Sequence, residues 1–108
     1  MAPSAATPTT STPIDGHEND GDWAITYIET IAALPTEALH SEQARVANSI
    51  KHLLRSNDEI ESFVADTTDQ AEAAEFKQVV VENQEVVAAQ RQRMELITAE
   101  LKNRTTHR

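Results

Sequence analysis

The chain has 108 residues, enough for one small domain. Hydrophobic residues make up 39% but aromatics only 4%, with two Gly and no Cys, which excludes a disulfide-stapled or CxxC metal fold and leaves a thin aliphatic core. The net charge of −9 disfavours nucleic acid as a direct partner, because phosphate neutralisation needs a basic patch. It suits a basic protein partner instead.

Residues 1–21, MAPSAATPTTSTPIDGHENDG, are rich in Ser, Thr, Pro and Ala and then acidic. They hold too little apolar surface to offset chain entropy, so a disordered N-terminal tail is predicted. The start lacks the basic and apolar regions of a signal peptide and the arginines of a transit peptide. No apolar run approaches the ~20 residues of a membrane span. The expectation is a soluble protein of the cytoplasm, and of the nucleus as well.

A short helix is predicted over 22–34. Trp23, Tyr27, Ile28 and Ile31 fall on one face, Leu34 closes the stripe, Asp22 caps the start and Pro35 stops it. Thr36 then serves as the N-cap of a first long helix, 36–65. Its residues Leu39, Gln43, Val46, Ile50, Leu53, Asn57, Ile60 and Val64 alternate four-three spacings, a heptad seam. Thr67 with Gln70 fits a capping box. A second long helix, 68–103, carries the matching seam Phe76, Val80, Asn83, Val87, Gln90, Met94, Ile97 and Leu101. Residues 105–108 are expected as a C-terminal tail.

Two seams of equal length joined by a short turn predict an all-α fold, with an antiparallel two-helix coiled-coil hairpin in a domain spanning 22–104. A tight turn near residue 68 makes Ile60 face Phe76, Leu53 face Asn83, Val46 face Gln90 and Leu39 face Ile97. It also brings Glu61 near Lys77 and Glu42 near Arg93. The polar seam residues Gln43, Asn57, Asn83 and Gln90 then face apolar ones. They read as register-setting residues first, and as signs of a weak hairpin that accepts a third helix second.

No chemistry-bearing constellation is present. The four His are scattered, with no HExxH and no Gly-rich phosphate loop. A two-helix rod offers no enclosed site to raise a carboxyl pKa. The expectation is a protein that is not an enzyme, with no catalytic, metal or cofactor-binding residues and no small-molecule substrate. Two surfaces remain. Asn48, His52 and Arg55 form a polar stripe facing away from the seam. Ser49 and Ser56 on one helix and Val79 and Val86 on the other flank the seam on one side. They form an apolar strip with room above it for a partner helix or for the short first helix folded back.

The blocks ANSIKHLLRSN and EFKQVVVENQEVVAAQRQRMELITAEL resemble a fungal family of assembly-dedicated chaperones for the proteasome ATPase ring, also catalogued as translation machinery-associated proteins. The family pattern N-S-I-x-H-L-x-R-S-N is matched by Asn48, Ser49, Ile50, His52, Leu53, Arg55, Ser56 and Asn57, and a later block by Phe76, Lys77, Glu82 and Asn83. The resemblance covers about residues 22–102. The chain departs from it in a tight turn and a short end where the family has a longer acidic link and a longer polar tail. The resemblance implies binding to the N-terminal helical region of a proteasomal regulatory-particle ATPase subunit, promoting ATPase pairing during assembly of the 19S base. A permanent coiled-coil subunit, prefoldin-like or of kinetochore type, is the alternative.

Overall fold

The structure, a computed structural model, describes residues 20–106, and most of the expected N-terminal tail lies outside them. Three helices follow in order: α1 (Asp20–Ala32), α2 (Thr36–Asp66) and α3 (Gln70–Thr106). The described residues are therefore all-α. The chain divides between Ala33 and Leu34 into two compact units, one holding the short helix and the other the hairpin.

α1 begins before Asp22, which therefore lies inside the helix rather than capping it. Trp23 and Tyr27, one turn apart, stack edge to face with centroids 6.2 Å apart. Ile28, expected on the same face, is exposed. The helix closes on a tight bond from the Ala33 amide to the Thr30 carbonyl at 3.2 Å. Pro35 then blocks continuation, because it lacks an N–H and disfavours helical geometry at Leu34.

α2 starts without the expected Thr36 cap. Pro35, in extended geometry, is the N-cap residue and makes no side-chain capping bond. The Thr36 hydroxyl instead accepts a 3.0 Å bond from Arg104 Nη1 near the end of α3. Arg104 is itself held by Glu100 at 2.8 Å, with both side chains largely buried. α2 then runs for 31 residues, roughly 45 Å.

The α2–α3 connection differs from the expected capping box. Thr67 is extended and ends α2, its amide bonding to the Phe63 carbonyl at 3.1 Å. Asp69, not Thr67, caps α3: the Glu72 amide donates to Asp69 Oδ1 at 3.1 Å. The Thr67 hydroxyl accepts from the Asp69 amide at 3.2 Å and donates to Glu72 Oε1 at 3.4 Å. Residues 67–69 are thus non-helical, and α3 extends through Thr106 rather than ending at 103.

The register is one helical turn away from the expected one. Asn57 meets Asn83, where Leu53 was expected. Asn83 Nδ2 donates to Asn57 Oδ1 at 2.9 Å, and Asn57 Nδ2 reaches the Val80 carbonyl at 3.5 Å. At the tip, Phe63 packs edge to face on Phe76 with centroids 5.1 Å apart. At the open end, Thr36 meets Arg104. All three contacts agree on one alignment. Stepping along it from the Asn pair sets Leu53 against Val87, Val46 against Met94 and Leu39 against Leu101. The core consists of Leu39, Val46, Ala73, Val80, Val87 and Ile97, all buried. Gln90 is also buried, its Oε1 accepting from Arg93 Nη1 at 2.8 Å. Glu42 is paired with Arg45 at 2.8 Å.

Asn57 is only 6% exposed, so its amide depends on Asn83. Asn83→Ala is expected to destabilise the protein by about 1–3 kcal/mol, because it strands a buried polar group. Replacing Asn57 and Asn83 together by Val is expected to be neutral or stabilising. Urea unfolding followed by circular dichroism checks both. An equal loss in the single and the double variant would contradict the pairing.

Candidate functional site

The heptad frame that builds the seam also fixes what lies beside it. Asn48, His52 and Arg55 point away from α3 and are all exposed. Arg55 makes a loose 3.7 Å ion pair with Glu59, one turn on, with 76% and 72% of the two side chains exposed. Such a pair contributes little to folding. The stripe is therefore where the sequence places it, on the solvent side of α2.

Ser49 and Ser56 are half-buried beside the seam, and Val79 and Val86 are 38% and 45% exposed on the same edge of the hairpin. The register rearranges their partners. Ser56 comes level with Val86, while Ser49 falls beyond the valines, toward Arg93. The position opposite Val79 is taken by Phe63, which is 45% exposed although its ring rests on Phe76. The sequence reading missed Phe63. Its signal was the continuation of the Ser49–Ser56 spacing by another seven residues, but a tight-turn register left it without a partner. Observed, the strip is Ser56, Phe63, Val79 and Val86, a continuous apolar edge near the hairpin tip.

The other edge carries an open cleft of about 410 Å³. Glu61, Val64, Ala65, Lys77, Val80 and Val81 are among the residues that line it. Glu61 and Lys77, expected as a charge pair, line the same cleft but form no ion pair with each other. Among the described residues no cluster of His, Asp and Glu could hold a metal ion, and no helix is long and apolar enough to cross a membrane.

The helical hairpin thus presents an exposed apolar edge and an exposed polar stripe, features of the kind that helix-in-groove recognition uses. Residues 24–108 match the family described as the TMA17 helical domain, and the chain belongs to that family. TMA17 stands for translation machinery-associated protein 17, also known as ATPase assembly chaperone Adc17. No curated protein and no solved structure matches the chain.

The exposed stripe makes a direct expectation. His52→Ala combined with Arg55→Glu should leave helicity unchanged and shift stability by no more than about 0.5 kcal/mol. Thermal melts followed by circular dichroism test this. A large loss of helix would assign these residues to the fold rather than to a surface.

Proposed function

We propose that this chain is a non-enzymatic assembly chaperone that binds the N-terminal helical region of a proteasomal ATPase subunit. It promotes pairing of ATPase subunits while the 19S base is built, in the cytoplasm and the nucleus, and leaves before the particle is complete. Family membership supplies the assembly role. The observation that carries the binding mode is the Phe63–Val79–Val86 edge, three large apolar side chains between about two-fifths and one-half exposed on a hairpin whose own seam is already filled. A helix from a partner would bury them in the packing of a three-helix bundle. Asn48, His52 and Arg55, exposed on the solvent side of α2, would meet polar groups of the partner beyond this edge.

Affinity purification of the tagged full chain tests the reading. Free ATPase subunits and base intermediates are expected to co-purify, and mature 26S particles are not. Stoichiometric recovery in one finished complex would replace this function by that of a permanent subunit. Val79→Gln with Val86→Gln should lower ATPase capture by about tenfold or more, since each valine contributes ~1.5 kcal/mol on full burial. The His52→Ala, Arg55→Glu variant should change capture to a smaller degree than the valine pair, as rim positions do.

A further inference from the structure

We infer that the Phe63–Val79–Val86 edge selects an amphipathic helix whose apolar stripe is bordered on both sides by lysine or arginine. The inference rests on the preceding reading for the claim that the edge faces a partner, and adds the chemistry of that partner.

Each apolar residue of the edge has exposed carboxylates one helical turn away, on the side turned from the seam. Phe63 lies between Glu59 and Asp66, four residues before and three after it. Val79 lies in the same way between Glu75 and Glu82, and Val86 follows Glu82 by four. The strip is therefore bordered by an acidic row on α2 and another on α3. All four carboxylate residues are exposed.

The pattern is not an average property of the surface. Residues 55–86 contain nine carboxylates and two cations, Arg55, loosely ion-paired with Glu59, and Lys77, which lines the cleft on the other edge. Residues 87–106 contain four cations and two carboxylates. Four of the nine, Glu59, Asp66, Glu75 and Glu82, border the strip. A helix lying on that edge would hold its apolar stripe against Phe63, Val79 and Val86, and its flanking positions against the two acidic rows. Lysine or arginine there gains attraction on both sides, and glutamate meets repulsion on both. The half-buried Ser56 opposite Val86 leaves space for a large apolar side chain from the incoming helix.

The probe is a pair of synthetic helices about three heptads long, identical in a leucine stripe and flanked by Lys in one and Glu in the other. A scrambled Lys peptide of the same composition is the control. Fluorescence anisotropy with the full chain at low salt should show the Lys-flanked helix binding about tenfold tighter than the Glu-flanked one, as several surface charge pairs together produce. The scramble should bind at least tenfold more weakly than the Lys-flanked helix. The preference should shrink as salt rises. Glu75→Lys with Glu82→Lys should erase or invert it, and Val79→Gln with Val86→Gln should abolish binding of both helices.

Equal binding of the scramble, or a preference untouched by Glu75→Lys with Glu82→Lys, would overturn the inference. So would a full chain that sediments as a dimer and becomes monomeric on Val79→Gln with Val86→Gln, which assigns the edge to a second copy. A full chain that binds no peptide, and melts several degrees lower with the same two changes, assigns the edge to its own sequence and also overturns it. The two proposals fail separately. ATPase capture without the charge preference removes only the helix chemistry, and the charge preference without ATPase capture removes only the assembly role.

Discussion

Asn57 and Asn83 face each other in the middle of a seam that is otherwise built from small aliphatic side chains. Valine, leucine and isoleucine seams tolerate a slip of one turn with little change in buried area, because every four-three step still sets carbon against carbon. Buried amides do not tolerate it. A one-turn slip would leave each asparagine against an apolar side chain, with up to about 1–3 kcal/mol lost for each unsatisfied group. That discrimination exceeds what the thin core can supply, and it fixes α2 against α3. From it follow the Phe63–Phe76 contact at the tip and the Thr36–Arg104 bond at the open end, neither of which forms in the slipped alignment.

The same alignment determines the surface. Moving α3 by a turn would separate Ser56 from Val86 and Phe63 from Val79, and the apolar edge would break into isolated residues. A polar pair inside the hairpin thereby assembles the apolar edge outside it. The loop serves this arrangement. Thr67 in extended geometry carries the chain clear of α2, and Asp69 with Glu72 starts α3 with carboxylates at its N-terminus, where they also complement the helix dipole.

Much of this was legible in the sequence, and the part that was not has a definite origin. The four-three spacings located both long helices and almost every buried residue, because heptad periodicity is a property of local sequence. Pro35 located the break between α1 and α2 for the same reason. The register is not legible from spacing, because a turn centred near residue 68 is compatible with more than one alignment of the two seams and the buried Asn57–Asn83 hydrogen bond selects among them. Weighing Asn57 against Asn83 as partners would have corrected it, since both lie on the seam and each needs a hydrogen bond. Of the surface residues, Asn48, His52, Arg55, Val79 and Val86 are where their spacing put them. Ser49 was assigned to the wrong neighbours and Phe63 was omitted, since both errors follow from the register and not from the helices.

The size and charge of the apolar edge bear on how long a partner stays. Three large apolar side chains along one edge, spanning about one heptad, offer far less area than the roughly 1,600 Å² of a typical stable interface. A permanent subunit built on this hairpin would need a longer apolar seam for its partner, and the edge beyond Ser56 turns polar at Ser49 and Arg93. An acidic border does not make up the missing area. It raises the rate of encounter with a basic helix more than it slows release. A short apolar contact with strong electrostatic steering is suited to fast capture and ready dissociation. Under the proposed function, this is the behaviour that an assembly factor that leaves its partner would need.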